Sequence, residues 1–132
     1  IETPIGLHDI QAFLFESSEV QRNSALLGKP LNQIKKSCND RIIFSEYHGH
    51  GATGSSFMIR KDKWKYIFYK NAKNHLFNLE SDHDELNNLS DEYPEICENL
   101  YQDLLKVCYS FNEHQIAEQF INKQINEISS KK

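Results

Sequence analysis

The sequence predicts an α+β fold in which a four-stranded antiparallel sheet packs against C-terminal helices. Four short runs rich in β-branched and aromatic residues lie within residues 41–80, and apolar residues recur every three or four positions after Pro94. Strands followed by helices are the element order of α+β domains. The 132 residues fit one domain, divided into helix and loop (1–40), sheet (41–80) and helices (81–132).

The N-terminal part predicts one short helix followed by a loop. Residues 5–15 have helical periodicity. The apolar side of this helix comprises Ile10, Phe13 and Leu14. Residues 16–40 are polar and are interrupted by Gly28 and Pro30, which favours a loop.

The sheet is predicted from local composition and from the turns between its strands. The predicted strands are Ile42–Tyr47, Ser56–Arg60, Trp64–Tyr69 and His75–Leu79. Lys61–Lys63 is a polar turn that pairs the second and third strands as a hairpin. The third strand is apolar on both faces, which predicts that both faces are covered. The helices cover one face, and either residues 1–40 or a partner outside this chain covers the other.

Two C-terminal helices are predicted. The first begins near Pro94, a residue suited to a first helical turn. Its apolar stripe comprises Ile96, Leu100, Leu104, Val107 and Phe111. The second begins at Asn112, and its stripe comprises Ile116, Phe120, Gln124 and Ile128. Cys97 and Cys108 lie on one face of the first helix and are expected to be buried thiols in a reducing compartment, which favours a cytoplasmic location.

Charge and hydropathy exclude some classes of partner. The net charge of −4 argues against a general nucleic-acid binder. No apolar run approaches the roughly 20 residues that span a bilayer, so no membrane partner is expected. Assembly into a homo-oligomer stays open.

One polar cluster has the spacing of a site. Glu46, His48 and His50 alternate along a strand end and project to one face. Nearby glycines suit a mobile binding loop, so these three residues are predicted to face a substrate. Two alternatives stay open: a metal site completed by His75 or Asp84, or polar residues with no role beyond hydrogen bonding.

Five segments resemble the C-terminal subdomain of bacterial sulfatases, in particular the choline-sulfatase-like branch. Leu76–Leu89 is similar to the family pattern Leu-Phe-Asp-Leu-x-x-Asp-Pro-x-Glu-x-x-Asn-Leu, and Met58–Tyr66 resembles its Met-Ile-Arg-x-Gly-x-Tyr-Lys-Tyr hairpin. The remaining similar segments are Leu7–Phe15, Gly28–Leu31 and Phe44–Gly51. In the first of these, Gln11 and Ala12 replace the Pro-Thr pair of the family pattern.

The resemblance implies a C-terminal sulfatase fragment that is not catalytic alone, packs on the catalytic domain of its own polypeptide and lends a loop to a sulfate-ester pocket. Sulfatases use a formylglycine, made from Cys or Ser in a Cys/Ser-x-Pro-x-Arg motif, beside calcium or a similar divalent ion. Cys38–Arg41 has different spacing and no proline. No catalytic residue, metal ligand or cofactor is therefore assigned to this chain, and both groups are expected in a catalytic domain outside it.

Two rival functions remain at this stage. The first is a free-standing protein-interaction module that uses the aromatic sheet face. The second is a small metal-dependent hydrolase built on Glu46, His48 and His50. The chain starts at Ile1 rather than at a methionine, which suggests either a deliberately shortened chain or a lost N-terminal region.

Overall fold

The computed structural model describes residues 3–23, 28–35, 40–49 and 54–110, and it confirms the α+β class. The elements, in chain order, are α1 (Leu7–Ser17), a 3₁₀ turn (Leu31–Gln33), β1 (Ile42–Tyr47), β2 (Ser56–Lys61), β3 (Trp64–Tyr69), β4 (His75–Asn78) and α2 (Pro94–Ser110). The chain divides into two compact units. Unit 1 comprises Ile1–Ile43 and Arg60–Lys63, and unit 2 comprises Phe44–Ile59 and Trp64–Lys132.

The four strands form one sheet in the order β1-β2-β3-β4, which confirms the predicted four-stranded sheet and the pairing of its second and third strands. β3 and β4 are antiparallel, with Tyr66 opposite Leu76 and Ile67 opposite His75. In the turn between β2 and β3, Asp62 has a φ of +52°, a conformation that tight hairpin turns require. β4 ends at Asn78, one residue earlier than the sequence predicts.

Helix α2 forms the core of unit 2 with one face of the sheet. Its buried residues are Leu100, Leu104 and Cys108. On the sheet, Phe57, Ile59, Tyr66 and Leu76 are buried, and Phe77 is buried on the opposite face. The Phe68 and Tyr101 rings join the two layers, with centroids 5.4 Å apart. The predicted burial is therefore confirmed for Leu100 and Leu104 of the helix stripe and for the Cys108 thiol, whereas Ile96, Val107 and Cys97 are only half-buried.

The opposite face of β3 and β4 is also apolar, as the pattern of the third strand predicts. The His75 ring packs edge-on against Tyr69, 5.1 Å away, and against Phe77, 5.7 Å away. The loop after β4 lies on this face, because Glu85 pairs with the Lys65 ammonium at 2.6 Å. Within unit 2, this face therefore carries packed aromatic rings and one ion pair with the loop after β4.

Residues 81–93 form turns and loop, and α2 begins at Pro94, where the sequence predicts the start of the first C-terminal helix. The Asn88 side chain holds this loop: it accepts from the Leu76 and Ser90 amides at 3.0 and 3.1 Å and donates to the Asn74 carbonyl at 3.1 Å. The loop is therefore fixed along β4 by polar contacts. The predicted second C-terminal helix, from Asn112, lies outside the described residues.

In unit 1, helix α1 begins two residues later than predicted and buries a different side. Asp9 and Ala12 are buried, whereas Ile10 and Leu14 of the predicted apolar side are 40% and 60% exposed. The Asp9 carboxylate explains the difference, because it accepts hydrogen bonds from the Gly6 amide at 2.7 Å and the Lys29 amide at 2.8 Å. In the part of the chain that the structure describes, no helix has the length and apolar character needed to cross a membrane.

Candidate functional site

Two of the three predicted site residues meet at the end of β1. The Glu46 carboxylate lies 3.4 Å from His48 Nε2, and His48 Nδ1 lies 2.8 Å from the Ser55 hydroxyl oxygen. Ser55 directly precedes β2, so the connection between β1 and β2 brings these groups together. The result is a continuous row of carboxylate, imidazole and hydroxyl groups at one end of the first hairpin. His50 lies outside the described residues.

The His48 ring is held by contacts of different kinds. Besides the Glu46 and Ser55 contacts, its edge packs against Phe57, with ring centroids 5.4 Å apart. Phe57 is buried, at 1% exposed, and Ser55 is 8% exposed. The Ser55 carbonyl also accepts a hydrogen bond from the Lys70 amide, which fixes its backbone to the start of the next turn. His48 is therefore oriented by buried groups, as a residue that positions a ligand requires.

The outer part of the cluster remains open to solvent. The side chains of Glu46 and His48 are 42% and 32% exposed. A contact this exposed contributes at most about 1 kcal/mol to stability. The Glu46 charge also affects the interior: burial, together with this nearby charge, raises the pKa of the Cys108 thiol to about 11. The pair is thus available to a ligand and contributes little to folding.

The row Glu46–His48–Ser55 has the residue types of a hydrolytic triad, but its geometry does not suit nucleophilic catalysis. The Ser55 side chain is buried, so its hydroxyl cannot approach a substrate carbonyl or ester. The arrangement instead fits recognition. The imidazole is a hydrogen-bond donor that gains positive charge on protonation, and the adjacent carboxylate accepts from hydroxyl or amine groups.

The metal interpretation finds no support from the described geometry. His75 contacts Tyr69 and Phe77 on the opposite sheet face from His48, which contacts Phe57. Within residues 3–23, 28–35, 40–49 and 54–110, no group of three His, Cys, Asp or Glu side chains could hold a metal ion. His75 therefore does not complete a site with His48.

Sequence reasoning missed Ser55 and Phe57 as members of the site. A signal was available in principle: an antiparallel hairpin places residues just after β1 beside those just before β2. The long glycine-containing connection concealed that pairing, because its length does not fix the register.

Comparison with known proteins identifies the class of protein to which this chain belongs. No family model matches the chain. The chain is nevertheless similar over most of its length to a part of several sulfatases, and it belongs to the sulfatase family as a C-terminal fragment. The recognised family is thus confirmed. The relatives with curated descriptions are animal proteins, so bacterial origin and the choline-sulfatase-like branch are not confirmed.

The particular relatives are forms of arylsulfatase K. The chain is 29% identical over 137 residues to arylsulfatase K of Danio rerio, covering 89% of this chain and 26% of that protein. It is 39% identical over 118 residues to arylsulfatase K of Bos taurus, covering 83% of this chain and 20% of that protein. The chain therefore spans about a quarter or less of the length of these relatives.

Solved structures share the fold. The structure of BT4656 in complex with its substrate D-glucosamine-2-N,6-O-disulfate matches with a TM-score of 0.65 and 20% identity, over 83% of this chain and 25% of that chain. The phosphonate monoester hydrolase of Agrobacterium radiobacter matches with a TM-score of 0.54 and 18% identity, over 74% of this chain and 23% of that chain. The same fold thus accompanies more than one ester class.

Proposed function

We propose that this chain serves as the non-catalytic C-terminal part of a sulfuric ester hydrolase, packs on the catalytic domain and contributes the loop after β1 to the substrate pocket. The observation that carries the proposal is the partial-length similarity. Most of this chain matches sulfatases, but the match covers only 26% of the Danio rerio arylsulfatase K and 20% of the Bos taurus arylsulfatase K. The remaining length of those relatives has room for a catalytic domain.

In this proposal, Glu46, His48 and His50 line one wall of the pocket. The His48 imidazole is oriented by Ser55 and Phe57 and is one-third exposed. Its Nε2 atom, 3.4 Å from the Glu46 carboxylate, can donate a hydrogen bond to an anionic sulfate ester in place of the Glu46 contact. The Glu46 carboxylate would accept from substrate hydroxyl or amine groups next to the ester. His50 follows His48 by two residues and is assigned to the same wall.

Helix α1 offers the surface on which we place the catalytic domain. Leu7, Ile10 and Leu14 recur at the spacing of one helix face and are 83%, 40% and 60% exposed. Contiguous exposed apolar groups mark interaction sites. The rest of the same polypeptide is the proposed occupant, because the similarity covers only part of each relative.

The formylglycine and the calcium or similar divalent ion of sulfatases do not fit the described residues of this chain. Cys97 lies within α2, and Cys108 is buried near its end. The described part of the chain also lacks a group of three potential metal ligands. We therefore assign both groups to the proposed catalytic domain.

The two rival functions are not favoured, because the chain matches a portion of longer sulfatases rather than complete small proteins. Bacterial origin, membership of the choline-sulfatase-like branch and a cytoplasmic location stay predictions. The ester class is proposed as sulfate because the curated relatives are arylsulfatases.

The test uses the longer sulfatase that contains this chain. We expect His48→Ala and His50→Ala to lower kcat/KM for an aryl sulfate roughly tenfold or more, without change in metal content. His83→Ala is the matched control, because His83 is an exposed histidine in the loop after β4. Unchanged kinetics in both pocket variants would contradict the substrate-facing role. Similar losses in the control would show a general effect of removing a histidine.

A further inference from the structure

The Glu46 and His48 side chains present a hydrogen-bond acceptor and a hydrogen-bond donor side by side. Glu46 Oε2 lies 3.4 Å from His48 Nε2. A carboxylate only accepts hydrogen bonds, so the proton of the neutral imidazole belongs on Nε2, and Nδ1 accepts from the Ser55 hydroxyl at 2.8 Å. The neutral and the protonated ring therefore both direct an N–H group toward the exposed Glu46 carboxylate.

The polar contacts of the imidazole with Ser55 and Glu46 differ in strength. The Ser55 contact has an ordinary hydrogen-bond length and involves a residue that is 8% exposed. The Glu46 contact joins two partly exposed side chains and is longer than the usual N–H···O distance of about 2.9 Å. A ligand that accepts from Nε2 therefore displaces Glu46 and leaves the Ser55 contact in place.

The Glu46 charge sets a condition on any anionic ligand of His48. Among the residues that the structure describes, the polar contact of Glu46 is to His48 and uses Oε2, which leaves Oε1 for a ligand. A sulfate that approaches Nε2 also approaches this carboxylate, and the two anions repel each other. The repulsion is offset when the ligand itself donates a hydrogen bond to the carboxylate.

The distance between the two side chains limits where that donor lies on the ligand. Two hydrogen bonds of about 3 Å that run side by side require ligand atoms roughly as far apart as the protein atoms they contact. Those protein atoms are 3.4 Å apart here. A sulfate oxygen and a hydroxyl or amine on the adjacent carbon of a ring are close enough to match this distance, whereas a donor on the opposite side of the ring is not.

We propose that Glu46 and His48 select sulfate esters with a hydroxyl or amine group on the carbon next to the ester-bearing carbon. This inference rests on the proposed substrate-facing role of these residues. When such an ester binds, a sulfate oxygen accepts from His48 Nε2 in place of Glu46. The released carboxylate accepts from the neighbouring hydroxyl or amine. Glu46 is then the specificity-determining residue, because an ester without that donor leaves two anions side by side.

The test uses the longer sulfatase that contains this chain and three small aryl sulfates: phenyl, 2-hydroxyphenyl and 2-methoxyphenyl sulfate. The methoxy ester keeps the neighbouring oxygen but lacks its proton. Release of inorganic sulfate gives kcat/KM, and the readout is the ratio of the hydroxy value to the methoxy value. We expect Glu46→Ala to lower this ratio roughly tenfold. Comparing the ratio between variants cancels the intrinsic reactivity of each ester.

Two further variants separate hydrogen bonding to the substrate from other effects. Glu46→Gln keeps an acceptor oxygen, so it should retain more of the preference for the hydroxy ester than Glu46→Ala does. Glu92→Gln is the matched control, because Glu92 is exposed in the loop before α2, and it should leave the ratio unchanged. The melting temperature of Glu46→Ala should stay close to that of the parent, because the contact it removes is exposed.

Failure of this inference and failure of the proposed function give different results. If His48→Ala lowers kcat/KM for all three esters but Glu46→Ala leaves the ratio unchanged, the histidine faces the substrate and selection by Glu46 is refuted. If Glu46→Ala lowers kcat/KM equally for all three esters, Glu46 acts by positioning His48, and selection is again refuted. If neither variant changes any of the three values, the substrate-facing role fails, and this inference fails with it.

Discussion

The Asp9 carboxylate forms an ion pair with the Arg41 guanidinium while itself only 2% exposed. The same carboxylate accepts hydrogen bonds from the Gly6 and Lys29 amides, and Arg41 also donates to the Pro4 carbonyl at 3.0 Å. One buried side chain therefore joins the start of α1, the segment at residue 29 and the segment that leads into β1. This arrangement organises unit 1 around a charge rather than around an apolar cluster.

The first prediction concerns acid stability. Burial raises the pKa of Asp9, but the hydrogen bonds from Arg41, Gly6 and Lys29 outweigh it and leave the pKa below its ordinary value of 3.8. The contribution of Asp9 is therefore complete above pH 3.8 and is lost as the pH falls through the lower folded-state pKa. Urea unfolding at a series of pH values should show this loss.

Asp9→Asn tests the same centre directly. The amide places an NH₂ group where two backbone donors and Arg41 require an acceptor, and we expect a loss of about 3 kcal/mol in unfolding free energy. The acid dependence should also flatten. A variant that unfolds at the same urea concentration as the parent chain would show that the pair does not organise unit 1.

The second prediction concerns two glycines. Gly28 has a φ of +95°, and an added Cβ would lie 2.1 Å from the His8 carbonyl oxygen. Gly28→Ala should therefore destabilise the chain by at least about 2 kcal/mol. Gly49→Ala is the control, because its added Cβ would meet only the far end of the exposed Tyr47 ring, which can move. Equal melting temperatures for the two variants would contradict the strained position of Gly28.

The third prediction concerns the loop after β4. Asn88→Ala removes hydrogen bonds to the Leu76 and Ser90 amides and to the Asn74 carbonyl, and it should cost about 2–3 kcal/mol. Asn87→Ala, at the exposed neighbouring position, should cost less than about 1 kcal/mol. Hydrogen exchange at the Leu76 amide should rise in the first variant only. If hydrogen exchange at the Leu76 amide does not change in Asn88→Ala, the Asn88 hydrogen bonds do not stabilise this edge of the sheet.

The fourth prediction concerns the Cys108 thiol. Burial raises its pKa from the ordinary 9.0 to about 11. Iodoacetamide at pH 8 should therefore modify Cys108 at least about 100-fold more slowly than in the unfolded chain. The raised pKa also means that stability falls as the pH rises from 9 to about 11, because the unfolded chain loses this proton first. Cys108→Ala should reduce that alkaline loss, whereas rapid modification in the folded chain would contradict burial of the thiol.

The fifth prediction concerns activity. The 132-residue chain alone should not hydrolyse aryl sulfates, with or without calcium, because the sequence lacks the Cys/Ser-x-Pro-x-Arg pattern. Release of the phenol from a chromogenic aryl sulfate is the measurement, with a complete sulfatase as the positive control. Turnover by this chain would refute its non-catalytic assignment.

The sequence by itself determined the four strands, helix α2 and the burial of two residues in its apolar stripe. Period-two and period-3.6 patterns report which side chains are removed from water, and here Leu100 and Leu104 follow that rule. The sulfatase resemblance was likewise carried by local motifs such as Leu76–Leu89. These features depend on residues that are close together in the chain, so they can be predicted from the sequence alone.

Only the tertiary structure decided the buried side of α1, the loop held by Asn88 and the contacts that orient His48. In α1, a buried ion pair between residues 32 apart displaced the apolar side from the interior. The partners of His48 come from the far side of a connection whose length does not set a register. Hydrogen bonds and charge pairs between distant residues leave no periodic trace in a sequence, because their geometry arises only when the chain has folded.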